Sequence, residues 1–278
     1  MEQEDLKVIK AIELEMLDEF LRLANKHDLT YFLTAGTCLG AVRHSGFIPW
    51  DDDIDIGMPR SEYERFERIA QEELDGRYVY QSMDTEPGCG FAFGKIRAKD
   101  TILSEDTSYH LPMSQGVWVD IFPFDEMPND EKERQRLYKK VAFLRNLYIV
   151  KCGYKMPEGR GALFAIAYYG AKLVSAFIPR KKLIAALKKA MTQYQGQPVR
   201  NFYNYGTAYA AGKELFDRDV LFDCNEMSFE GRPCKVPHDT DAFLAGMYGD
   251  YMTLPPVEKR VGGMHHIHEF ADNRSSQR

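Results

Sequence analysis

Apolar residues at Ile9, Ile12, Met16, Phe20 and Leu23 fall three and four positions apart, which predicts one amphipathic helix from about Glu4 to His27. Tyr31-Phe32-Leu33 then reads as a short strand, Gly36-Thr37 as a small-residue turn, and Leu39 to Arg43 as a short helix. At Asp53-Ile54-Asp55-Ile56 the pattern changes to strict alternation, the period of a strand. The two isoleucines would enter the core and the two aspartates would point together to the other face. Ser61 and Glu64 have the spacing of a capping box, opening a helix whose buried stripe is Tyr63, Phe66 and Ala70. Strand-like runs follow at Arg77 to Ser82, Gly90 to Arg97 and Gly116 to Phe122. The last of them carries a single acid, Asp120, among apolar neighbours. A carboxylate is costly to bury without a partner, so Asp120 belongs either at a strand end or in a metal site.

The second half returns to helical spacing from Asp130 to about Val150, through Leu137, Val141, Leu144 and Tyr148. Ala162 to Pro179 is apolar nearly all round, broken by Lys172 and followed by Arg180, Lys181, Lys182, Lys188 and Lys189. A buried core helix is the first reading. A transmembrane span is disfavoured, because the run sits at the short limit of roughly 18 residues. An interfacial helix with a basic flank suits an anionic leaflet and ranks a close second, making 162–189 a candidate peripheral membrane contact. A hairpin over Leu221 to Val236, turning at Glu230-Gly231-Arg232, a short helix near Asp239 to Tyr248 and a proline-rich tail complete the chain. The fold class expected is α+β, a mixed sheet flanked by helices with a helical insertion and a C-terminal hairpin–helix segment. The expected division is a catalytic core over 1–128, a membrane- or acceptor-facing helical segment over 129–200, and a segment over 201–278 packing back on the core.

Composition narrows the class. With 278 residues, 44% hydrophobic and 28% charged, the chain can bury a sizeable core. A net charge of -6 argues against a protein that coats nucleic acid. Five scattered cysteines without a C-x-x-C point to reduced thiols. The acidic start, Met1 to Asp5, lacks the features of a signal peptide, so the expected location is the cytoplasm, with a peripheral place on the inner membrane face as the variant.

Two carboxylates about 4 Å apart repel by roughly 4 kcal/mol at an effective dielectric of 20. A hard cation with oxygen ligands, Mg²⁺ or Mn²⁺, relieves that repulsion at Asp53 and Asp55. The plain alternative is a solvated acidic loop, which suits Asp51 and Asp52 better than acids alternating with isoleucine. A Gly-Thr turn, then Asp53-x-Asp55, then Asp120 is the order a nucleotidyltransferase fold uses. Three carboxylates would hold one or two divalent ions and act as the catalytic set, with Asp120 nearest the acceptor hydroxyl as candidate base. Backbone N–H groups of Gly36 and Thr37 would face phosphate oxygens.

Gly36-Thr37-Cys38-Leu39-Gly40-Ala41-Val42-Arg43-His44 followed by Gly46-Phe47-Ile48-Pro49-Trp50-Asp51-Asp52-Asp53-Ile54-Asp55-Ile56 resembles the signature of the LicD family. Val119-Asp120-Ile121-Phe122-Pro123, Tyr248-Gly249-Asp250-Tyr251-Met252 and Leu254-Pro255-Pro256 do so too, and the similarity covers nearly the whole chain. Cys38 departs from the leucine that the family often has there. The resemblance implies a nucleotidyltransferase-like fold. It also implies transfer of a phospho-alcohol, phosphocholine first, from a CDP-alcohol such as CDP-choline to a cell-surface glycan or its lipid-linked precursor, with CMP released. Fukutin-type proteins are relatives. On this reading Gly36, Thr37, Gly40, Arg43, His44, Lys95 and Arg97 bind substrate, the last four through charge-assisted hydrogen bonds to phosphate and CMP. For Arg97 an ordinary surface ion pair is an equal alternative. Trp50 and Tyr109 could stack on cytosine or cage a quaternary ammonium, although plain packing ranks ahead. His265, His266 and His268, with Arg260, read as a tail or lid rather than a zinc site. The rival functions are transfer of NMP from an NTP to a small acceptor and, ranked low, a non-catalytic docking module of glycan assembly.

Overall fold

A computed structural model describes residues 3–157, 159–206, 209, 212–260 and 267–274. Helix α1 (Gln3–Lys26) leads to strand β1 (Phe32–Leu33), helix α2 (Ala35–His44), strand β2 (Asp55–Pro59) and helix α3 (Arg60–Glu73). Strands β3 (Tyr78–Gln81), β4 (Gly94–Ala98), β5 (Thr101–Glu105) and the ten-residue β6 (Trp118–Met127) follow. Helices α4 (Glu131–Cys152), α5 (Ala162–Ala176) and α6 (Arg180–Met191) form the helical segment. The chain then returns through β7 (Asn201–Asn204), β8 (Leu215–Asp217), α7 (Arg218–Leu221), the hairpin β9 (Asn225–Phe229) and β10 (Arg232–Val236), α8 (Thr240–Tyr248) and β11 (Ile267–Asp272).

The main sheet is mixed, in the order β1-β2-β6-β4-β3, with β7 and β8 added beside the far half of β6. The long strand β6 organises it. Its first half runs parallel to β2 and antiparallel to β4, while its last four residues pair with β7. An apolar strand of this length is expected at a sheet centre, where both faces are covered. Ile54, Ile56, Phe124 and Val119 are fully buried in the main core, joined by Ile9, Ile12, Met16 and Phe20 of α1. A second core gathers Leu137, Tyr148, Leu187 and Met191 of α4 and α6 against Tyr203 and Tyr205. Below the sheet row that carries the acids, Arg60 of α3 makes a bidentate pair with Asp125 of β6, both donors 2.7 Å from their oxygens and both side chains buried.

The α+β class with helices flanking a mixed sheet is as expected. Several details differ. Helix α2 begins at Ala35, so Gly36 and Thr37 lie in its first turn and not before it. Helix α3 begins at Arg60 behind Pro59, and no side chain caps it. Proline already supplies the helical φ of about −65°, so the Ser61–Glu64 box is not used. The hairpin turns at Glu230 and Gly231, both at positive φ (48° and 77°), as two-residue hairpin turns require. The tail contains β11, which pairs antiparallel with β5. The core reading of α5 is overturned, for Ser175 is its one buried residue. That helix packs on α4 along one side, and its apolar opposite side is left on the surface.

Candidate active site

The sheet register assembles the chemistry. Asp55 of β2 is the partner of Asp120 of β6, and Asp120 is in turn the partner of Lys95 of β4. The three side chains therefore stand in one row across neighbouring strands about 4.8 Å apart and share a face. All three line a cleft of about 370 Å³, together with Asp51, Asp53 and the first turn of α2 at Ala35 and Gly36. Asp53 precedes β2 in extended chain, and Ile54 between the two acids is fully buried, as alternation predicts.

Local contacts hold the row in place. The backbone N–H of Asp55 donates to Thr37 Oγ1 at 2.8 Å, tying β2 to the first turn of α2. Thr34 N–H donates to Asp55 O and Asp120 N–H to Ile54 O. A Cβ on Gly36 would stand 2.4 Å from Asp51 Oδ2, so glycine is what lets the acidic loop close against the helix start. The positive pole of a ten-residue helix thus faces the cleft. Lys95 is 1% exposed and its ammonium lies 2.8 Å from Asp120 Oδ1. It also sits over the rings of Phe91, Phe93 and Trp118, at 4.7, 5.3 and 4.3 Å.

The expected substrate-binding residues separate into two groups. Gly36 and Lys95 line the cleft, although Lys95 is engaged with Asp120, while Thr37 is buried behind it against the backbone of Asp55. Arg97 is buried one row away, donating to Gln81 Oε1 and Gly116 O at 2.6 Å and lying 4.9 Å over the Trp118 ring. Arg43 and His44 occupy the far end of α2, about 10 Å from Gly36 at 1.5 Å per residue. Arg43 donates to Tyr251 O there, and its charge lowers the pKa of His44 after burial. Trp50 lies between His44 and Arg260, which makes this corner cationic and aromatic. Gly40 serves packing, since a Cβ there would stand 2.4 Å from Gly46 O. Tyr109 stacks on His268 at 3.8 Å, away from the cleft. His265 and His266 lie outside the described residues.

The structure adds groups that the pattern did not single out. The aromatic wall of Phe91, Phe93 and Phe122, with centroid spacings of 5.1 and 4.4 Å, closes one side of the cleft. Glu105, Asn204, Tyr209 and Glu214 also line it. A carboxylate oxygen of Asp51, of Asp52 and of Asp53 lie within 4.8 Å of one another, which brings the acids set aside as a solvated loop into the candidate cation-binding set. An all-oxygen set of this kind fits a hard divalent ion.

Behind this loop lies Glu13 of α1, 1% exposed, whose Oε2 has no hydrogen-bond partner among the described residues. Burial first, then the charges of Asp53, Asp52 and Asp51, push its carboxyl well above the ordinary value of 4.5. Glu13 occupies the apolar stripe, four residues after Ile9 and three before Met16, and that position was the available signal. A carboxyl that keeps its proton in the fold but loses it near 4.5 when unfolded costs stability as pH rises above that value. Glu13→Gln removes the cost. In EDTA its melting temperature is expected to match the parent near pH 4.5 and to exceed it as pH rises above that value; a difference independent of pH would refute this.

Comparison with known proteins adds a second line of evidence. The family model described as "LicD/FKTN/FKRP, nucleotidyltransferase domain" matches residues 28–148, which hold the acid row, Lys95 and the start of α2. The chain is 30% identical over 274 residues to the lipopolysaccharide cholinephosphotransferase LicD of Haemophilus influenzae, covering 97% of this chain and 98% of that protein. It is 41% identical over 137 residues to an uncharacterized protein of Rickettsia typhi, covering 48% of this chain and 40% of the relative.

Proposed function

This chain belongs to the LicD family, and from that premise we propose that it transfers phosphocholine from CDP-choline to a hydroxyl of a surface glycan, lipopolysaccharide or its lipid-linked precursor, releasing CMP. The observation that carries the reading is the Asp55–Asp120–Lys95 row in one cleft with Asp53 and the N-terminus of α2. The full-length similarity to a cholinephosphotransferase favours the choline donor over other CDP-alcohols.

In this reading Asp53, Asp55 and Asp120, with Asp51 beside them, hold Mg²⁺ or Mn²⁺. The ion would neutralise charge developing on the pyrophosphate bridge and lower the pKa of the attacking hydroxyl. The remaining work belongs to the protein. Backbone N–H groups at Ala35 and Gly36 orient the phosphate oxygens at the positive helix end. The acceptor oxygen forms a bond to the outer phosphorus, the bond from that phosphorus to the bridging oxygen breaks, and CMP leaves with the bridging oxygen. The hydroxyl proton passes to a cleft carboxylate, with Asp120 the first candidate. Phe91, Phe93 and Phe122, flanked by Glu105 and Glu214, offer ring faces and negative charge to a quaternary ammonium.

Incubation with CDP-choline, Mg²⁺ and a lipopolysaccharide acceptor is expected to release CMP and label the glycan with phosphocholine. Release of pyrophosphate from an NTP in its place would favour the nucleotidyltransferase reading and overturn this one.

A further inference from the structure

Helix α5 and the Phe177 that caps its C-terminus place Leu163, Ile166, Tyr169, Leu173 and Phe177, spaced three and four apart, on one outward stripe, each between 62% and 84% exposed. Its opposite side packs inward through Ala171 and the buried Ser175. So large a contiguous apolar face is unusual on a protein that works without a partner there. Its electrostatic setting names the partner. Between Lys151 and Met191 the sequence has nine lysines and arginines against one acid, in a chain whose net charge is -6. Arg160, Lys172, Lys181 and Lys182 are exposed around the stripe. No single helix among the described residues is long and apolar enough to cross a membrane, and α5 and α6 are bent by 111° to each other.

We propose that α5 and the start of α6 dock this protein on an anionic phospholipid surface, with the apolar stripe set among the acyl chains and the surrounding cations against headgroup phosphates. A second copy of the chain is a poorer occupant, since pairing the two faces would bring like charges together. The placement has a consequence for the cleft. Tyr168 of α5 donates to Tyr154 O at 2.7 Å, and the Tyr154 ring meets Phe91 of the cleft wall at 5.6 Å. One aromatic layer therefore separates the docking helix from the site, which holds the site close to a lipid-linked acceptor.

The test is co-sedimentation of the full chain with large vesicles of phosphatidylcholine alone or with about one-third phosphatidylglycerol. Binding is expected to the anionic vesicles, weakening as salt rises. The double variant Leu163→Glu/Phe177→Glu, changed where both side chains are exposed, is expected to cut the bound fraction at least about tenfold with an unaltered melting temperature. Lys181→Glu/Lys182→Glu is expected to lose the preference for anionic lipid. Absence of wild-type binding, or binding by both double variants equal to that of the wild type, would overturn the proposal. So would a wild-type dimer in light scattering that Leu163→Glu/Phe177→Glu converts to monomer. CMP release with a water-soluble acceptor is expected to be unchanged in these variants, so failure of docking is distinguishable from failure of the proposed reaction.

Discussion

Asp53→Ala/Asp55→Ala is expected to lower CMP release from CDP-choline by about 10³-fold or more, because a bound cation supplies several kcal/mol of charge stabilisation and each 1.36 kcal/mol is tenfold in rate. The loss should appear in kcat. The folded structure should survive, since both side chains stand in the cleft while Ile54 and Ile56 remain to anchor the strand. Removing the repulsion among Asp51, Asp53, Asp55 and Asp120 also favours the metal-free fold, so the melting temperature in EDTA should hold or rise. In the parent, Mg²⁺ should raise the melting temperature by linkage, and in the double variant this increment should vanish. Retained CMP release in the double variant would sink the assignment of the site. A retained Mg²⁺ increment with lost activity would instead place the ion on other carboxylates, Asp51 and Asp52 foremost.

How far the chain could be read depended on the range of the contacts involved. Alternation at Asp53 to Ile56 is a local signal, and the buried isoleucines and cleft-facing acids follow from it. Asp120, the single acid in the apolar run from Gly116 to Phe122, was legible as an anomaly, but its partner was not. Lys95 meets Asp120 only through the antiparallel register of β4 and β6, which no local pattern encodes. Arg97, two residues on, alternates as well as Lys95 does and ends under Trp118, one row from the chemistry. Arg43 and His44 adjoin the Gly-Thr turn in sequence, yet an unbroken α2 carries them to its other end. The β5–β11 pairing joins segments on either side of the whole helical segment, so it left no trace in either. For α5 the composition told that a partner was needed but not which, since a helix apolar all round suits a core and a bilayer alike.

Lys95→Met is expected to destabilise the metal-free protein by about 3–5 kcal/mol, the cost of leaving one member of a buried ion pair without the other. Methionine matches the lysine stem and packs well against Phe91, Phe93 and Trp118, so lost volume contributes little. What remains is Asp120, 4% exposed, deprived of an ammonium at 2.8 Å. In EDTA the urea midpoint should fall by about 1–2 M, at a slope near 3 kcal/mol/M for a chain of this size. Lys95→Met/Asp120→Asn should recover most of the loss, because the double change removes both charges of the pair, and the coupling energy measures the pair. Divalent ion provides the sharper test. If Asp55 and Asp120 hold the cation, Mg²⁺ substitutes for the missing ammonium, and it should stabilise Lys95→Met by more than it stabilises the parent. Equal increments in the two proteins would mean that the row built by β2, β6 and β4 is a structural ion pair, with the cation held elsewhere on the acidic loop. A larger increment in Lys95→Met would establish that lysine and metal compete for one carboxylate, with Lys95 holding Asp120 in position until the ion arrives.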